Sequence, residues 1–215
     1  MSVPDTAPDP QLVLVRHGET EWSATGRHTG RTDVPLTVAG EQQAVTAGVW
    51  LQRWADARGR RPAVVLASPR QRARRTADLA GYPGATTDDD LVEWDYGPVE
   101  GRTTPEVSAA LGRDWLLFRD GVNVLTSPDG HRGEGLDDVA ARCARVVGRV
   151  EPALRDGGDV VLFAHGHVLR VLATVWLGIE PALGARLELG TATVCLLGFG
   201  HGLRTIEGWN LPPTG

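Results

Sequence analysis

The 215-residue chain is poor in sulfur and in histidine, with two cysteines (Cys143 and Cys195), one methionine and six histidines. Two thiols without metal-ligand spacing to any histidine build neither a disulfide framework nor a zinc site, and a chain of this length buries a core without them. Basic residues are short as well: 22 Lys and Arg against 27 Asp and Glu leave a formal charge of -5. That balance excludes a general electrostatic grip on nucleic acid or on an anionic membrane, while leaving local positive clusters open. No apolar run reaches the roughly 18 residues of a membrane span, because Arg170 interrupts the segment from Val168 to Ile179. The opening MSVPDTAPDPQ has acids and prolines where a secretory leader has a basic and then an apolar stretch, so a cytoplasmic protein without nucleic-acid or membrane partners is the expectation.

What remains is a 41% hydrophobic, 23% charged chain, a composition that folds unaided, at a length that fits one large α/β unit. Residues 1–10 read as a disordered tail and 11–215 as a single domain. Leu12-Val13-Leu14-Val15, Ala63–Ala67 and Asp159–Ala164 read as buried strands, and Thr37 to about Ala57, the arginine-rich segment after Ser68-Pro69, Leu136 to about Leu154 and Val168–Leu177 read as helices. Ser68 is a potential cap beside a helix-starting proline. Thr193–Leu197 and Arg204–Trp209 are further strand candidates, with an edge strand near Arg186–Leu189. Residues 94–135 are less regular, with short helices expected at Pro105–Leu111 and Asp114–Arg119, and look like a lid-like insertion. The architecture implied is a three-layer α/β sandwich, a mostly parallel mixed sheet flanked by helices.

Three of the six histidines, His17, His165 and His167, follow directly on buried-strand candidates. Ligands of open α/β sheets collect beyond the carboxyl ends of strands, where this chain delivers Arg16-His17-Gly18, Ser68-Pro69-Arg70-Gln71-Arg72 and His165-Gly166-His167. Guanidinium forks match phosphate oxygens, and a neutral imidazole can attack phosphorus and carry the phosphoryl group. Gly18 and Gly166 would let backbone approach bulky oxygens and offer N–H donors where helices begin. Helical spacing cannot aim Arg70, Arg72, Arg74 and Arg75 at one ligand, so most of that run is a solvated face. Cys143 and Cys195 fall on apolar patterns as inert core residues.

The ordered set LVLVRHGETEW, SPRQRARRTA, EWDYG and FAHGHVLRVL resembles the histidine phosphatase superfamily, the phosphoglycerate mutase-like family, over residues 12 to about 209, and is closest in kind to its bacterial acid phosphatases. The resemblance implies that His17 is the nucleophile that becomes phosphohistidine, that Arg16, Arg72 and His165 grasp the phosphoryl oxygens, and that Glu93 protonates the leaving oxygen and then helps deprotonate water. Such an acid must hold a proton, through burial or at an acidic working pH. Arginines and an imidazolium would neutralise developing charge, so no metal or other cofactor is implied. Ser23 stands where the family pattern has Asn and keeps one shorter donor. Thr29-Gly30 matches a pair that touches substrate in mutase-type relatives, and Gly166 would join the phosphate site. Gly133-Glu134-Gly135 lacks a serine common before the helix carrying Arg142, which weakens that cap. Trp22, Trp94 and Tyr96 are candidate pocket walls; His28, His131, His167 and His201 read as supporting or surface residues.

The function this implies is a metal-independent phosphomonoesterase acting on a small phosphorylated metabolite, with a homodimer open. A sugar-bisphosphatase and a phosphoglycerate mutase are the alternatives, the second disfavoured because EWDYGPVEG is not followed by a long basic insertion. A catalytically silent binding domain is the alternative from another class.

Overall fold

The computed structural model describes residues 8–213. In chain order the elements are β1 (Leu12–Arg16), α1 (Glu21–Ala24), α2 (Val38–Ala57), β2 (Val64–Ala67), α3 (Gln71–Leu79), β3 (Thr86–Thr87), α4 (Thr104–Leu111), α5 (Leu117–Asp120), α6 (Leu136–Arg155), β4 (Val160–Ala164), α7 (Gly166–Leu177), β5 (Val194–Gly200) and β6 (Leu203–Leu211). One six-stranded sheet runs β3-β2-β4-β1-β5-β6. β1, β2, β3 and β4 pair in parallel, and β5 and β6 add on antiparallel. The carboxyl ends of β1, β2 and β4 therefore lie side by side, so the three polar corners of the sequence share one edge of the sheet.

Period-two side-chain alternation divides each central strand between two cores. Leu12, Leu14, Val160 and Leu162 face one side, where they meet Val139, Val146 and Val150 of α6 and Val168, Leu172 and Trp176 of α7. Val13, Val15, Val161 and Phe163 face the other, against Leu51 and Trp54 of α2 and Ala77 of α3. Central strands buried on both faces explain the unbroken apolar runs. Residues 94–135 share the first core: Trp94, Tyr96, Val99, Val107, Trp115, Leu117 and Val122 all belong to it.

Several boundaries differ from the sequence expectation. No strand forms near Arg186–Leu189; Pro181–Arg186 is a 3₁₀ turn, and the Leu189 carbonyl accepts from Arg16 Nη1 at 2.5 Å instead of joining a ladder. Ser68 does not cap α3. The cap residue is Arg70, and the buried Ser68 hydroxyl is held by His165 at 2.7 Å. The helix expected from Asp114 is a single turn beginning at Leu117, because Trp115 is buried and its amide donates to Ser108 Oγ at 3.0 Å. The last long helix starts at Gly166, two residues earlier than expected, with His165 as its cap residue. At the other end of the chain, Pro8 and Asp9 are docked: their carbonyls accept from Arg60 and Arg58, while residues 1–7 of the expected tail lie outside the described residues. Asp159 anchors both arginines at 2.7–2.8 Å, and although burial opposes it, the hydrogen bonds from Arg60 and Arg58 pull its carboxyl below the usual range.

Candidate active site

β1 ends by placing Arg16 and His17 at the sheet edge. His17 is 4% exposed, and its Nδ1 lies 2.7 Å from the Gly18 carbonyl oxygen. A carbonyl only accepts, so Nδ1 carries the proton and Nε2 keeps its lone pair. Burial, with the Arg16 and Arg72 charges adding to it, holds the imidazole well below its ordinary pKa, and the ring is neutral. Neutral, with Nδ1 committed, is the state in which Nε2 is nucleophilic.

Arg16 is fixed by its Nη1 bond to Leu189, while its buried Nε has no hydrogen-bond partner among the described residues. Such a donor is costly unless a ligand satisfies it. Gly166 makes room for this group, since a Cβ there would stand 3.3 Å from Arg16 Nε. Gly18 works differently from the expectation. Its amide is taken by Thr76 Oγ1 at 3.0 Å, and a Cβ would fall 2.2 Å from the Gly40 carbonyl oxygen; glycine is required there for α2 to pack, not for an anion.

Glu93 is 6% exposed and lies at the amino end of α7. Oε1 accepts from the Trp94 and Val168 amides, both at 2.9 Å, and Oε2 from the His167 amide at 3.0 Å. With two lone pairs per oxygen, Oε1 is saturated and one lone pair of Oε2 stays open. The segment is held from behind by the buried Arg142, which donates to the Asp90 and Val92 carbonyls and to Glu134. Glu134 in turn accepts from the Asp95 amide at 2.9 Å. Gly135 caps α6 without a side chain, and Asp138 accepts its amide proton at 2.8 Å.

Arg72 and His165 form a second layer. Arg72, fully buried, donates through Nε to His165 Nδ1 at 3.0 Å and through its terminal nitrogens to the carbonyls of Thr29, Gly30 and Thr32. Because Arg72 can only donate, His165 Nδ1 accepts, and Nε2–H donates to Ser68. Burial and the Arg72 charge push the His165 pKa well down, so the imidazolium expected here is a neutral ring. His17 and His165 meet edge to face, with centroids 5.1 Å apart.

A cavity of about 170 Å³ opens over this assembly, lined by Arg16, His17, Ser23, Thr29, Glu93 and Gly166, and also by Arg27, His28, Tyr96, His167 and Arg170. Arg72, His165 and Gly30 do not line it. The Gly30 amide is taken by Glu100 at 3.0 Å. The Ser23 hydroxyl is spent on α1, donating to the Thr20 carbonyl and accepting its amide. Thr29 Oγ1 donates to the Arg27 carbonyl at 3.0 Å. His28 and His167, read from sequence as supporting or surface residues, are cavity walls. Burial lowers His28 to about 4 and His167 well below its ordinary value, and Tyr96 Oη lies 2.6 Å from His167 Nδ1. Of the tryptophans, Trp94 is core, its ring nitrogen donating to the Glu134 carbonyl. Ser68 left no signal beyond its place after β2. Arg170 left one, a charge inside an apolar helix. Both cysteines are buried, with burial raising each thiol to about 12, and they stay thiols. No group of three or more His, Cys, Asp or Glu among the described residues could hold a metal ion, and no described helix is long and apolar enough to cross a membrane.

The chain is 37% identical to an acid phosphatase of Mycobacterium tuberculosis over 91% of this chain and 90% of that one. It is 35% identical to a sedoheptulose 1,7-bisphosphatase of Saccharomyces cerevisiae over 79% and 68%. A solved structure of an open reading frame product from Mycobacterium tuberculosis superimposes with a TM-score of 0.85 at 36% identity, covering 96% of this chain and all of that one. The family model for the histidine phosphatase superfamily (branch 1) matches residues 12–212, and the chain belongs to that superfamily.

Proposed function

We propose that the protein is a phosphomonoesterase of the acid phosphatase type, hydrolysing a small phosphorylated metabolite in two steps through a phosphohistidine at His17. One observation carries the reading: a neutral imidazole with Nδ1 committed and Nε2 open shares a cavity with the unpartnered buried Nε of Arg16 and the half-open carboxyl of Glu93. His17 Nε2 attacks phosphorus, the P–O ester bond breaks, and the departing alcohol oxygen takes the proton held on the free lone pair of Glu93 Oε2. An alkoxide is a poor leaving group without that proton. Water then attacks the phosphohistidine, gives its proton to Glu93, and the P–N bond breaks to release phosphate.

Arg16 supplies positive charge and an unpartnered N–H for the phosphoryl oxygens, and Gly166 adds a backbone N–H at the start of α7. Arg72 adds charge beside His17 and keeps His165 and the 29–32 loop in place. Four of the five Arg72 N–H groups are engaged, and direct contact of His165 with phosphate requires one of its present bonds to open. The reading is supported by the phosphatases among the relatives and by the depressed pKa of His17, which keeps the nucleophile neutral into acid.

Rapid acid-free quench of enzyme turning over a phosphomonoester, followed by intact-mass measurement, is expected to show a single phosphoryl adduct. That adduct should be stable in alkali, lost in acid, and located on His17. Turnover without such an adduct, or an adduct elsewhere, overturns the two-step mechanism.

A further inference from the structure

The phosphate-sized cavity is the inner of two chambers. A second cavity of about 560 Å³ adjoins it, sharing His28, His167 and Arg170 as walls. Together they match the size of pockets that enclose drug-sized molecules, well beyond a three-carbon acid.

The outer walls differ in chemistry from the inner ones. Leu116, Leu117, Phe118, Ala182 and Ala185 supply apolar surface. Leu116 is 54% exposed, an open apolar side chain beside a site that is otherwise polar. Two cations stand at this level. Arg170 stacks on Phe118 with its guanidinium carbon 4.9 Å from the ring centre, and donates to the Gly184 and Ala185 carbonyls. Arg119 is bound to Asp120 and to the Asp114 carbonyl. The shared walls, His28 and His167, are uncharged imidazoles, and Glu188 adds a carboxylate. The Arg170 charge faces that of Glu188 and Arg119 is paired with Asp120, so the outer walls hold no surplus positive charge for a second phosphate or a carboxylate, and desolvating an unpaired anion is costly.

We infer that the outer chamber is a leaving-group subsite for an uncharged alcohol with a large apolar, aromatic or aliphatic, body, and that it selects against substrates bearing a second anion. The inference rests on the phosphatase reading and narrows it from small phosphorylated metabolites in general to bulky neutral monoesters.

The test compares three esters that all react at a primary alcohol: 2-phenylethyl phosphate, glycerol 3-phosphate and 3-phosphoglycerate. Glycerol is the more acidic alcohol, so leaving-group chemistry alone favours it over phenylethanol. The expected order of kcat/KM is phenylethyl first by about tenfold or more, the scale on which apolar pockets discriminate, with 3-phosphoglycerate last. Leu116→Asp at the open rim is expected to collapse the phenylethyl-to-glycerol ratio by about tenfold. Phe118→Ala, which removes the ring from the same wall, should lower that ratio as well. Glu188→Lys is expected to raise the 3-phosphoglycerate-to-glycerol ratio severalfold by reversing the charge. Equal or better turnover of glycerol 3-phosphate by the parent enzyme, or ratios that neither wall variant moves, overturns the subsite. Failure to hydrolyse any of the three removes the phosphatase reading itself, a result distinct from hydrolysis without preference.

Discussion

The corners after β1 and β4 look alike in sequence, each a buried strand running into His-Gly, yet they hold their histidines in opposite states of engagement. His17 gives only Nδ1 to its own neighbour's carbonyl and leaves Nε2 open. His165 caps α7 and has both nitrogens occupied, one by Arg72 and one by Ser68. A histidine acts as a nucleophile only where the fold leaves one ring nitrogen without a partner. One that is bonded at both becomes a brace for the groups around it.

The sharpest way to break this comparison is to exchange the two. His17→Ala is expected to lower kcat by about 10⁴-fold or more, the scale of losing a covalent nucleophile, with the phosphoryl adduct gone and the thermal midpoint little changed. His165→Ala should cost less, about 10²–10³-fold, as for loss of one element of a charge-stabilising site, and the adduct on His17 should still form. Equal losses, or an adduct absent from both variants, would mean that the corners are not divided into nucleophile and brace.

A smaller effect separates them by pH. Burial, Arg16 and Arg72 all depress the His17 pKa, so the neutral nucleophile survives into acid and is lost only as pH falls through that depressed value. Arg72→Gln removes one of the charges, raises the pKa and should move the acid limb of the kcat/KM profile to higher pH. A limb that stays in place would separate Arg72 from the protonation of His17. The smallest change expected is in Ser68→Ala, which deletes one neutral hydrogen bond to His165. A net value of about 1 kcal/mol corresponds to about a fivefold loss in kcat/KM, without a shift of the acid limb.

Much of this was legible before the structure. The apolar runs at Leu12, Val64 and Val160 are strands because both of their faces are covered, and a continuous run announces that. The failures have local causes. The segment Arg186–Leu189 reads as an edge strand, but the Leu189 carbonyl is taken by Arg16, a contact across 173 positions that no local pattern contains. Ser68-Pro69 reads as a cap because capping is local, whereas Ser68 answers to a histidine 97 residues away. Gly18 reads from sequence as an anion cradle; only the packing of Gly40 against it reveals a steric requirement.

The site divides in the same way. Strand ends in an α/β sheet converge whatever the details, which is enough to bring Arg16, His17 and His165 to one edge, whereas Arg72 and Glu93 are candidates only through the family resemblance. Sequence could not say which of these line the cavity and which stand behind it, because that depends on hydrogen-bond partners supplied by distant segments. Nor could it show that His28 and His167 are walls or that a larger apolar chamber adjoins them. The strands, helices and family were determined by short-range periodicity and motif. The tautomers, the open donor on Arg16 and the shape of the substrate space were decided by tertiary packing, where each polar group's role is set by the partners left to it.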